Sequence, residues 1–103
     1  MMDDILKQIE AGEVSGVQFK ERALDKYDIG CELVAFSNAR GGKLVVGVND
    51  KTGKINALSY SEVQETTNLL SDIASENVVP SILINVDTVE VEDGNLVIAT
   101  VKE

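Results

Sequence analysis

The stretch Ala35 to Asp50, AFSNARGGKLVVGVND, constrains this chain more than any other. Leu44 to Val48 is a short apolar run broken only by Gly47, the signature of a strand covered on both faces. Gly41-Gly42 precedes it, one residue away, and predicts a tight helix end in which positive φ is needed. Asn49 to Gly53 after it reads as a polar turn. A helix, a two-glycine turn and a doubly covered strand in succession require a sheet with helices packed on it.

The remaining elements follow from periodicity. Residues 2–11 suit a short helix, with Asp3 and Asp4 at its positive end and Ile5, Leu6 and Ile9 as an apolar stripe, stopped by Gly12. Residues 16–22 alternate, with Val17 and Phe19 on one face and Gln18 and Lys20 on the other, as a strand does. Residues 26–39 read as a helix with Ile29, Leu33 and Phe36 on one face, Val34 widening the stripe, and Asp25 or Asp28 as cap. Lys54 to Leu58 is expected to pair with Leu44 to Val48 as a hairpin. Ser61-x-x-Gln64 predicts the capping box of a third helix that presents Val63, Thr67, Leu70, Ile73 and Ala74 and ends near Val79-Pro80. Ile82, Ile84 and Val86 alternate, then Val89 and Val91 do so out of phase, which suggests a bulge at Asp87-Thr88. Asp93-Gly94 is a two-residue hairpin turn before a last strand, Leu96 to Val101. The expectation is an α/β (α+β) fold of residues 1–103 as one domain. It has a single mixed sheet of about five strands, two main helices packed on it and a short N-terminal helix, in the order α-β-α-β-β-α-β-β.

Composition limits the chemistry. The chain contains no histidine and one cysteine, Cys31. A Ser/His or Cys/His nucleophilic site is therefore excluded, a structural zinc site is not expected, and no internal disulfide can form. Cys31 falls in a helical apolar pattern and reads as a small core residue in a reducing, cytoplasmic compartment. No apolar run approaches the ~18 residues that span a bilayer, so no membrane partner is expected. The net charge is −9. Residues 1–54 hold eight of the nine basic groups and nine acidic ones, whereas residues 55–103 hold Lys102 against nine acids. The acidic total disfavours a generic nucleic-acid binder. A local basic patch on the first half stays compatible with it if Lys20, Arg22, Arg40 and Lys43 converge.

Read together, Glu13, Phe19-Lys20, Ala35-Phe36, Asn38, Gly41-Gly42, Gly47-Val48, Asp50, Gly53, Ile55, Leu58 and Pro80 keep the order and spacing of a known pattern. The chain resembles the Schlafen-type AlbA-like DNA-binding domain, which also occurs in bacterial proteins labelled divergent AAA ATPases, helicase-related proteins or transcriptional regulators. Three positions depart from it. Gln18 stands where the pattern has a glutamate, Ala57 where a glycine is usual, and the sequence stops after Val101-Lys102-Glu103, before an aromatic and Arg-rich strand. The expectation is either a minimal member or a domain cut from a longer protein, and because Met1 suits a native N-terminus, any missing part is expected on the C-terminal side.

The resemblance implies a DNA- or nucleic-acid-binding domain of a transcriptional-regulator or helicase-related protein, with DNA preferred over RNA. Lys20, Arg22, Asn38, Arg40, Gly41, Gly42 and Lys43 are the candidate phosphate contacts, side chains and the Gly-Gly backbone together. It also implies, for relatives with RNase activity, a divalent-metal carboxylate cluster, of which Glu13 and Asp50 are the matching positions here and Gln18 the missing one. That gap leans against an enzyme and against a bound metal. The absence of any G-x-x-x-x-G-K-[ST] string leans against ATP, so no cofactor is expected. Phe19 and Phe36 read as core residues, and Tyr27 and Tyr60 as surface residues too few for a stacking platform. The alternative function is a protein-interaction or homo-oligomerisation module that pairs through Leu96 to Val101 as an open edge, with a second copy or a C-terminal segment.

Overall fold

The computed structural model describes residues 2–12, 16–77 and 83–102. In chain order the elements are helix α1 (Met2–Ala11), strand β1 (Val17–Lys20), helix α2 (Lys26–Asn38), strand β2 (Gly42–Val46), helix α3 (Tyr60–Asp72) continued by one π-helical turn (Ile73–Asn77), and strands β3 (Ile84–Val91) and β4 (Gly94–Val101). The strands form one sheet in the order β1-β2-β4-β3. β1 and β2 are parallel and joined through α2, whereas β4 is antiparallel to both β2 and β3. The mixed α+β sheet is as expected, but it has four strands among the described residues, not five.

The missing strand is the 54–58 segment. It makes an isolated bridge from Ile55 to Val48 and a second from Leu58 to Asn95. Its amides and carbonyls are divided between two partners: the Asn56 amide bonds the Gly47 carbonyl at 2.7 Å, while Leu58 exchanges both backbone bonds with Asn95. A segment that leaves one strand to meet another cannot build a ladder on either.

β2 is covered on both faces, as its sequence requires. Leu44 and Val46 join Ile29, Leu33, Phe36, Leu58, Leu70, Ile73, Val97, Ala99 and Val101 in a core beneath α2 and α3. Val45 joins Ile5, Ile9, Val17, Phe19, Val48, Val89, Leu96 and Ile98 in a second core beneath α1. The two cores explain the phase change in β3. Its register against β4 runs unbroken from Ile84 opposite Val101 to Val91 opposite Gly94, so there is no bulge. Ile84 and Val86 pack on the α2–α3 side, and Val89 and Val91 on the α1 side. The apolar pattern changes face because a different helix covers each half of the strand.

Four further expectations are corrected. Helix α3 is capped by Ser59, whose hydroxyl accepts from the Glu62 amide while the Glu62 carboxylate accepts from the Ser59 amide. Ser61 lies inside the helix, and Thr66 rather than Thr67 faces the core, with its hydroxyl bonded to the Glu62 carbonyl at 2.7 Å. Cys31 is exposed, because it sits two residues from both Ile29 and Leu33 and so on the outer side of α2. Finally, Leu96 to Val101 is not an edge: β4 is hydrogen-bonded on both sides, and β1 and β3 are the edges. Pairing of a second copy along the last strand is therefore blocked by β2 and β3. Pro80 and the expected helix end near it lie outside the described residues. Among the described residues no helix is long and apolar enough to cross a membrane.

Candidate nucleic-acid interface

The candidate cations separate to the two ends of the sheet. The first end is built where α2 stops. The Ala39 amide bonds the Ala35 and Phe36 carbonyls, and the Gly41 amide bonds the Phe36 carbonyl at 2.8 Å, which closes the helix. Gly41 adopts φ +82° to do so. The next residue enters β2, where the Lys43 amide bonds the Gly16 carbonyl at 2.7 Å. The Gly41 and Lys43 amides are thus committed inside the protein, and Gly41 gives the turn its shape. The rest of the candidate site at this end is made of side chains.

Those side chains are Asn38, Arg40 and Lys43, all exposed. Lys43 stands between Val17 of β1 and Thr100 of β4. A broad hollow of about 1100 Å³ opens here, lined by Gln8, Arg40, Lys43, Thr100 and Lys102 among others. Among the described residues none forms an ion pair with Arg40, Lys43 or Lys102. Sequence reading missed Lys102 and Thr100. The signal was present: both polar residues share one face at the end of an otherwise apolar strand.

The second end holds Lys20 and Arg22, and both are engaged. Lys20 Nζ lies 3.4 Å from Glu32 Oε1 of α2. Arg22 Nε donates to Glu62 Oε2 at 2.8 Å, and its remaining nitrogens donate to the carbonyls of Glu21, Asn56 and Ala57. Arg22 therefore ties β1, the 56–57 segment and the start of α3 together. Beside it Glu21 accepts from the side-chain amides of Asn49 (3.2 Å) and Asn56 (3.0 Å). Asn49 in turn accepts from the Lys51 and Thr52 amides through its own side-chain oxygen. The sequence did not announce this network, since its members are scattered from 21 to 62.

Hydrogen bonds to ionised carboxylates lower their pKa. Glu21 is held below its usual value of 4.5, first by Asn56 and then by Asn49. Glu62 is lowered first by the Ser59 amide and then by Arg22. A lowered folded-state pKa gives stability that is present above the unfolded value and lost as pH falls through the folded one. The thermal midpoint is therefore expected to decline as pH is taken from 6 to 3, and Glu62→Gln to decline less steeply. Melting curves across that range check this, and a midpoint indifferent to pH contradicts it.

A family model described as Schlafen, AlbA_2 matches residues 13–103. The chain belongs to the Schlafen AlbA_2 family. No curated protein matches it. Among solved structures it is similar to the DIP2311 protein of Corynebacterium diphtheriae, at 21% identity and a TM-score of 0.61 over 94% of this chain and 21% of that one. It is also similar to the N-terminal domain of a RecG-related protein of Nitrosomonas europaea, a protein named for likeness to an ATP-dependent DNA helicase. There the identity is 22% and the TM-score 0.63, over 97% of this chain and 71% of that one. At these identities the two neighbours establish the fold. This Schlafen AlbA_2 chain spans about a fifth of the first of them.

Of the three positions at which the resemblance implies a metal ligand, two are described. Glu13 lies outside the described residues. Gln18 is exposed on β1 opposite Leu44, and Asp50 is exposed in the turn that Asn49 organises. Among the described residues no three Asp, Glu, His or Cys side chains are grouped to hold a metal. The described donors at these positions, one exposed carboxylate and one amide, do not by themselves fit a divalent ion.

Proposed function

We propose that this chain is a nucleic-acid-binding domain, DNA before RNA, of a helicase-related or transcription-regulating protein. It grips backbone phosphates at the end of the sheet where Arg40, Lys43 and Lys102 meet. The observation that carries this reading is the hollow itself: three cations with no carboxylate partner among the described residues line it. Family membership and the helicase-related name of one neighbour support it. Lys20 and Arg22 contribute less than their sequence suggests, because each already faces a carboxylate.

Two of the acids stand far from this patch. Glu92 and Asp93 sit at the β3–β4 turn, opposite the end at which Val101 and Lys102 emerge. At about 3.4 Å per residue the length of β4 separates them by roughly 24 Å. That exceeds two Debye lengths at physiological salt, where one is about 8 Å.

Contacts made by side-chain charge to phosphate carry little sequence information and depend on salt. Fluorescence anisotropy with labelled duplex DNA, single-stranded DNA and RNA at 50 mM salt tests the proposal. Three phosphate contacts give a slope of log Kobs against log salt of about −2 to −3. The triple variant Arg40→Ala, Lys43→Ala, Lys102→Ala is expected to weaken binding at least tenfold and flatten that slope, whereas Lys51→Ala with Lys54→Ala leaves both unchanged. Failure to bind any of the three nucleic acids at 50 mM salt refutes the reading for this domain.

A further inference from the structure

The core beneath α1 is not closed at the hairpin tip. Leu6 of α1, Ile55 and Ala57 of the connecting segment and Val91 of β3 are all only half-buried. Together with Glu92 and Asp93 they line a pocket of about 330 Å³. Its apolar floor continues the α1-side core, since Ile55 and Val91 pack against that cluster. Two exposed carboxylates stand on its rim, and among the described residues neither has an ion-pair partner. Lys7 and Lys54 neighbour Leu6 and Ile55 in sequence but do not line the pocket. Asp87, exposed on the same face of this edge strand as Val89 and Val91, adds negative charge along β3.

We infer that this pocket is a docking site for a basic segment of a partner protein, an extended stretch in which one leucine-sized apolar side chain is flanked by lysines or arginines. The volume lies at the low end of the ~300–1,000 Å³ typical of ligand pockets, which suits one anchoring side chain rather than a larger ligand. The apolar floor supplies the affinity and the carboxylate rim selects the cationic flanks, speeding encounter and rejecting acidic sequences. The site lies at the opposite end of the β4 strand from Arg40, Lys43 and Lys102, so a basic partner and a nucleic acid would occupy separate surfaces of one domain.

The probe is a fluorescein-labelled heptapeptide, Ser-Lys-Lys-Leu-Lys-Lys-Ser, titrated by anisotropy at 50 mM salt. Two controls replace the leucine with alanine or all four lysines with glutamate. The leucine–lysine peptide is expected to bind about tenfold or more tighter than either control. Glu92→Gln with Asp93→Asn is expected to weaken it several-fold and to reduce its salt dependence. Asparagine before Gly94 keeps a favoured hairpin turn, so this variant retains the fold. Methyl chemical shifts of Leu6, Ile55 and Val91 are expected to move on titration. Equal binding of the alanine peptide, equal binding of the glutamate peptide, indifference to the rim variant, or methyl shifts confined to other sites would each overturn the inference. So would sedimentation showing a dimer that buries the pocket.

Discussion

Gly42→Ala is expected to destabilise the fold by about 3 kcal/mol, at the upper end of what overpacking costs in a filled core. A Cβ at this position would lie 2.3 Å from Cδ1 of Phe36 and 2.8 Å from the Gly16 carbonyl oxygen. Neither neighbour can yield. Phe36 is buried in the α2–α3 core, and the Gly16 carbonyl already accepts the Lys43 amide. Relief would require moving α2 off the sheet or breaking the entry to β1. Gly30→Ala is the control. Its Cβ would meet only Ile73 Cγ2 at 3.6 Å, an ordinary contact. In mid-helix that exchange should stabilise by about 0.5–1 kcal/mol. Urea unfolding of the two variants decides the matter. A Gly42→Ala midpoint within error of the parent would mean that the glycine pair is not needed for packing and would point back to ligand contact as its purpose.

Leu58→Ala should cost a similar amount, about 3 kcal/mol within the range for large-to-small core changes. Leu58 is fully buried. It is also where the segment after β2 is pinned to the β3–β4 hairpin, through both of its backbone bonds to Asn95. Two glycines make room for it. A Cβ on Gly47 would come within 2.8 Å of Leu58 Cδ1, and one on Gly94 within 2.6 Å of its carbonyl oxygen. Deleting the side chain leaves a cavity in the α2–α3 core, and a close-packed site collapses only partly around it. Ile55→Ala, at a half-buried position, is expected to lose markedly less. Comparable losses at 55 and 58 in denaturant titrations would show that the segment acts as an ordinary strand after all.

Leu58 also illustrates what sequence could and could not show. Its apolar character within KINAL was plain, and so was the turn before it. The strand expected there was wrong because pairing partners are set by where the chain can reach, not by local alternation. The phase change in β3 was visible as well, and was read as a bulge. Without knowing that helices cover both sides of the sheet, a change of covered face and an inserted residue look alike. At the capping box, Ser59 and Ser61 each have an acceptor three residues on. Glu62 decides for Ser59, because Arg22, forty residues away, holds it.

For the candidate site, residue type was legible and position was not. Arg40 and Lys43 flank the glycine pair in the sequence and share a hollow in the fold. Lys102 joins them only because β4 runs antiparallel to β2 and ends beside it. Lys20 and Arg22 looked equivalent to them as charges, yet the parallel register of β1 and β2 carries both toward the other end and onto Glu32 and Glu62.

The sequence by itself determined the family, the helix-turn-strand unit around Gly41-Gly42, and the exclusion of histidine-dependent chemistry. Each of these rests on residue identity and short spacing, which the chain carries locally. Only the tertiary structure decided which cations meet a carboxylate among the described residues, that the last strand lies inside the sheet, and that the α1-side core is left open at one corner. Those depend on strand order and on partners tens of residues apart, which local pattern does not encode.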